Sequence, residues 1–222
     1  MTILAIEFSS VQRSVALLDE DRVVAESVHE EPGHTPVTGL VRGVLDQAGW
    51  NRNSIGRIVV GLGPGSYAGI RLSLAFAQGW SLKGGVGVVG VSSLDALIMG
   101  IPRTIASDGA GALALVDAQR GEFHAQRIRL LEGAWKSDGE LLLMAKAEVD
   151  VALSAGQLVV GPGIQRWFGE GLNCCPSARE LGLLGRSRGS SDAPELIEPL
   201  YLRSTSFVKA PLVNQNAPNG LG

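Results

Sequence analysis

Residues 63–71 read Gly-Pro-Gly-Ser-Tyr-Ala-Gly-Ile-Arg, and the chemistry open to them is close approach of backbone to a neighbour. The segment follows an apolar run, Ile58-Val59-Val60-Gly61-Leu62, and opens into a helical pattern over Leu72 to Leu82. Gly63, Gly65 and Gly69 carry no Cβ that would hold a neighbour away. A helix start adds unpaired N–H groups and the positive end of the helix dipole, which together suit an anion. The same glycines would serve equally to seat the helix tightly on its sheet. The spacing is neither G-x-x-x-x-G-K-[ST] nor G-x-G-x-x-G, and the loop has no lysine, so a standard phosphate loop is disfavoured.

Two acids invite a second reading. Glu7 and Asp117 each end an apolar run, Ile3-Leu4-Ala5-Ile6 and Ala112-Leu113-Ala114-Leu115-Val116. One or two carboxylates beside a substrate's phosphates can hold Mg²⁺, which makes this pair the candidate cofactor-binding residues. A strand-end acid is also a common turn former. Arg71 and Arg120 read as structural ion-pair residues rather than anion clamps. The three histidines are His29, His34 and His124, and Pro32-Gly33 between the first two spoils a shared helical face. The only cysteines, Cys174 and Cys175, are adjacent and lack metal or redox spacing. They read as reduced and structural, and no metal site is expected.

Composition narrows the class. Of 222 residues, 45% are hydrophobic and 18% charged, enough to bury a core. The formal net charge of −3 gives no general attraction to nucleic acid, so autonomous RNA binding is disfavoured. The opening run Met1 to Ile6 meets Glu7 too early for a secretory signal. No apolar run approaches the ~18 residues of a membrane span. A cytoplasmic protein without a membrane partner is expected.

The elements that must position these residues follow one plan, written twice. Ile3–Ile6 and Ser14–Leu18 form a hairpin around the polar turn 9–13, with a third strand over Arg22–Glu26. Ala112–Val116 and Phe123–Ile128 repeat it around 118–121. Each hairpin is followed by a buried strand running into Gly-Pro-Gly, at 63–65 and again at 161–163. This echo argues for a duplicated α/β fold with a boundary near Gly100 to Gly111. The expected limits are 1–102 for the first lobe and 103–208 for the second, with an unstructured tail over 209–222.

Two helices stand out. From Pro36, the residues Val37, Leu40, Val41, Val44, Leu45 and Ala48 form an amphipathic stripe that Gly49 ends, with Gly39 and Gly43 as a small-residue ridge. A glycine inside a helix costs ~1 kcal/mol against alanine, so such a ridge admits a close neighbour. The segment Ile70 to Leu82 is apolar around nearly its whole circumference, so its outer face needs a cover too. A contact with another protein is the expected cover.

With these segments in place the chain resembles the TsaB (YeaZ) family over residues 2 to 209. Gly63–Arg71 is close to that family's GPGSFTGLR, with support from Ile3–Ser10 (ILAIDTS), Gly90–Leu97 (GVSSLDAL), Asp117–Glu122 (DARRGEVY) and Pro199–Arg203 (PVYLR). The resemblance implies a two-lobed fold of the actin, Hsp70 and sugar-kinase type with a reduced second lobe. It implies a non-catalytic subunit that binds and activates the transferase TsaD in making threonylcarbamoyladenosine beside the tRNA anticodon. The implied partners are a TsaD homologue, a TsaE homologue and, through the same helices, a second copy; tRNA is met only through the complex. No cofactor of its own is implied, and ATP or ADP would belong to the interface of the complex. The two unusual helices match the family's dimerisation helices, which places Gly39, Leu40, Gly43, Val44, Leu72, Ala75, Phe76 and Gly79 at the partner interface. Glu7 stands where the family usually has aspartate, and Ala68 where it has threonine or serine. The H-x-x-x-H pair of TsaD-like catalysts is missing, so no catalytic residue is assigned. The alternatives are an ATP-binding phosphotransferase or ATPase resting on Glu7 and Asp117, and, last, an M22-type peptidase.

Overall fold

The computed structural model describes residues 1–30, 36–82, 85–188 and 197–200. In the first half, strands β1 (Thr2–Glu7), β2 (Arg13–Asp19) and β3 (Arg22–His29) form an antiparallel meander. After helix α1 (Val37–Ala48), β4 (Arg57–Gly61) returns parallel to β1. Helix α2 (Tyr67–Ser81) leads to β5 (Gly87–Val91), parallel to β4, and α3 (Ser93–Gly100) follows. The second half repeats the path with β6 (Gly111–Asp117), β7 (Glu122–Leu131), β8 (Ala134–Ala145), α4 (Lys146–Ser154), β9 (Leu158–Gly161), β10 (Leu172–Asn173) and α5 (Ala178–Arg186). The first sheet runs β3-β2-β1-β4-β5 and the second β8-β7-β6-β9-β10. The duplicated two-lobed α/β plan is therefore present strand for strand. The second copy is reduced: only a 3₁₀ turn, Ile164–Arg166, joins β9 to β10 where the first copy has α2.

The central strands explain the continuous apolar runs. Ile3, Leu4, Ala5 and Ile6 are fully buried because both faces of β1 are covered. On one face Leu4 and Ile6 pack with Val37, Val41 and Val44 of α1 and Ile70, Leu74 and Ala77 of α2. On the other, Ile3 and Ala5 pack with Ala178 and Leu181 of α5. Gly182 and Gly185 let α5 lie this close, since a Cβ there would overlap Leu18 and Val59. Arg57 closes the helix end by donating to the carbonyls of Gly185, Arg186 and Arg188. Meanwhile α3 buries Leu94, Leu97 and Ile98 in the core of the second sheet. Each lobe's last helix thus covers the other lobe's sheet. Residues 201–222, which include the expected tail over 209–222, lie outside the described residues.

Helix α2 starts earlier than its apolar pattern. Ser66 accepts the Gly69 N–H and caps the helix, so Tyr67, Ala68 and Gly69 are helical ahead of Ile70. Helix α1 ends as read, on Gly49 in the left-handed conformation.

Candidate partner-docking face and the interlobe acids

Helices α1 and α2 cover one face of the first sheet, and their outer sides form a strip of small residues. Gly39, Gly43, Ala75 and Gly79 are exposed on it. Leu40, Leu72 and Phe76 are half-buried, their inner sides against the core. Val44 is a correction: it is fully buried and faces the chain's own sheet, as its place in the α1 stripe requires. Sequence reading missed Tyr67, Ala68 and Leu82, which extend the exposed strip, Leu82 at 90% exposure. A Cβ added at Gly43 or Gly79 would meet nothing within 4 Å. These two mid-helix glycines therefore carry their conformational cost without serving any contact inside the described chain. At the strip's edge, a cleft of about 340 Å³ separates Arg71, Ala75 and Gln78 from residues 197–199. Leu200 ties that segment down by donating to the Leu62 carbonyl at 2.9 Å.

The Gly-Pro-Gly loop is filled by the chain's own backbone. A Cβ at Gly65 would overlap the Ser9 carbonyl, and one at Gly69 the Phe8 carbonyl. Ser66 N–H donates to that Ser9 carbonyl at 2.6 Å. Tight packing, the second of the two uses open to these glycines, is the one seen.

Glu7 lies beneath this loop, wholly buried. Its Oε1 accepts the Ser9 N–H at 2.7 Å and its Oε2 the Ser93 hydroxyl at 2.8 Å. Gly61 makes room, since a Cβ there would overlap Oε2. Desolvation pushes the Glu7 carboxyl above its ordinary value, against the lowering pull of the Ser9 and Ser93 hydrogen bonds. A carboxyl with a raised folded pKa contributes stability fully present below its unfolded value and lost as pH rises through the folded one. As pH rises above the ordinary glutamate range the wild-type urea midpoint is therefore expected to fall further than that of Glu7→Gln. Parallel slopes in the two proteins would refute this.

Asp117 has its own partners. Its Oδ2 pairs with Arg166 at 2.6 Å and its Oδ1 accepts the Gln119 N–H at 2.7 Å. Gln119 and Arg120 form a left-handed turn, with φ of 67° and 60°. The two acids thus have different hydrogen-bond and ion-pair partners, on the first and the second sheet. Among the described residues no group of three or more His, Cys, Asp or Glu could hold a metal. Arg71 lies over the Tyr67 ring and donates to its hydroxyl. His29 and His124 lie on β3 and β7 of different sheets, and His34 is outside the described residues. Cys174 and Cys175 are free thiols. Burial, with Cys175 and Glu180 adding, pushes Cys174 up to about 11, and burial also raises Cys175, so both stay protonated and poorly nucleophilic near neutrality. No helix among the described residues is long and apolar enough to cross a membrane.

Comparison with known proteins adds four findings. The family model described as TsaD, tRNA N6-adenosine threonylcarbamoyltransferase, matches residues 34–152. The tRNA threonylcarbamoyladenosine biosynthesis protein TsaB of Escherichia coli (strain K12) is 29% identical, over 92% of this chain and 95% of its own. TsaB of Bacillus subtilis (strain 168) is 28% identical, over 91% and 94%. Among solved structures, YeaZ from Pseudomonas aeruginosa superposes with a TM-score of 0.73 at 26% identity, over 90% of this chain and 99% of that one.

Proposed function

The chain belongs to the family described by the TsaD model, and within it to the TsaB (YeaZ) family, and from that premise we propose that it is the non-catalytic subunit that binds and activates a TsaD-type transferase in tRNA threonylcarbamoyladenosine biosynthesis. One observation carries the docking half of this reading. Gly43 and Gly79 lie exposed inside α1 and α2 with open space where a Cβ would be. Glycine there costs helix stability and is explained by a neighbour outside the described chain that approaches the backbone closely. The accessory role is supported by the acids: Glu7 is sealed under its loop and Asp117 is held by Arg166. Within 34–152 the only histidines are His34 and His124, which cannot form an H-x-x-x-H pair. TsaE, a second copy of this chain, and ATP or ADP at the interface remain part of the proposal at the level of the complex.

Co-purification with the TsaD homologue of the same organism tests the reading. A stable one-to-one complex is expected, with threonylcarbamoyl transfer to tRNA only when both chains are present. A well-folded chain that stays apart from TsaD, or that turns over substrate alone, would overturn it.

A further inference from the structure

We propose that Glu7 is the positioning residue of the partner-docking helix: its two carboxyl oxygens brace the two ends of the loop from which α2 springs, so partner affinity depends on a buried polar side chain that never touches the partner. The inference rests on the docking role of α2.

The network is short and closed. Through Oε1, Glu7 holds the Ser9 N–H at 2.7 Å, and the Ser9 carbonyl in turn holds the N–H of Ser66, the cap of α2, at 2.6 Å. Through Oε2, Glu7 holds the Ser93 hydroxyl at 2.8 Å. The same hydroxyl accepts the Gly63 N–H at 3.1 Å, and the Ser93 N–H donates to the Gly63 carbonyl at 2.9 Å. Gly63 and Ser66 are the first and last residues of the loop, and each hangs on one oxygen of a single side chain.

Chemistry explains why a side chain with two hydrogen-bonding ends is needed. A buried carboxyl is expensive unless its oxygens are bonded, so it is retained where both bonds matter. Here one bond goes to a backbone donor and one to a hydroxyl that must also accept, an arrangement an apolar side chain cannot replace without orphaning two buried donors. Ser93 also opens α3, which packs on the second sheet. Glu7 therefore ties the start of the docking helix to the helix that joins the lobes.

The test uses the full chain as Glu7→Gln, Glu7→Ala and Ser93→Ala, with calorimetric titration against TsaD and amide hydrogen exchange without partner. Glu7→Ala and Ser93→Ala are expected to bind at least about tenfold more weakly than wild type. Their exchange should quicken at residues 63–70 and not in the second sheet. Glu7→Gln keeps an acceptor for Ser9 and a donor toward Ser93, and should stay within about threefold of wild type. If Glu7→Ala fails to fold, Ser93→Ala, which removes one hydroxyl, decides. Wild-type affinity and unchanged exchange in Ser93→Ala would overturn the inference. If wild type itself binds no TsaD, the docking reading falls, while exchange at 63–70 still decides whether Glu7 positions the loop.

Discussion

Ala75→Glu is expected to weaken the complex with TsaD by about 100-fold or more while leaving the isolated chain folded. Ala75 is exposed in the middle of α2, and glutamate is a good helix former, so the fold bears little cost. A docked face is different: a carboxylate trapped there without a partner costs about 3–5 kcal/mol. Arg71 and Glu198 both line the cleft beside Ala75, so within the isolated chain the new charge meets both signs. Leu72→Glu should weaken pairing too, but Leu72 is packed against the core and its loss would mix stability with binding. Val44→Glu is no interface test at all, because it would place a charge in the core beneath α1. Light scattering on the mixed proteins, with circular dichroism of each variant, separates these cases. An Ala75→Glu mixture that still shows the full mass of the complex would remove α2 from the interface.

The parts of this fold that were legible are those where one periodicity dominates. β1 and β6 are apolar runs closed by an acid, and the partner hairpins and Gly-Pro-Gly turns follow at matching places, so the duplication is visible before any coordinate. α1 is legible from its stripe and from Gly49. β8 was not, because as an edge strand it leaves most of its residues exposed and carries Gly139 in its interior, so the strand alternation is broken. Nor could α5 be assigned to the first sheet: its amphipathic face shows that it must be covered, and only the tertiary path shows by which lobe. Glu7 marks the deeper limit. An acid at a strand end reads the same whether it faces a ligand or is sealed under a loop. What distinguishes the cases here is Gly61 across the sheet and Ser93 thirty residues after Gly63, contacts that no local pattern announces.

Two glycines of α2, ten residues apart, are expected to respond to alanine with opposite signs. Gly79→Ala should stabilise the isolated chain by up to about 1 kcal/mol, since the added methyl meets nothing and the helix gains propensity. In a chain of this size that is a rise of roughly 2–4 °C in Tm. Gly69→Ala gains the same propensity but drives its methyl into the Phe8 carbonyl, which belongs to buried backbone and cannot rotate away. The helix start must then lift from the end of β1, loosening Ile70 and Leu74 in the core. A net loss of about 2–4 kcal/mol follows from overpacking of this kind. Thermal scans of the two variants beside wild type read the contrast directly, and a destabilised Gly79→Ala would mean that the chain itself covers this face. The complex reverses the ranking for Gly79: if TsaD approaches the backbone there, the more stable variant is also the weaker binder. One glycine is thus required by the chain's own packing, while the other meets nothing among the described residues and is assigned by the proposed function to the partner.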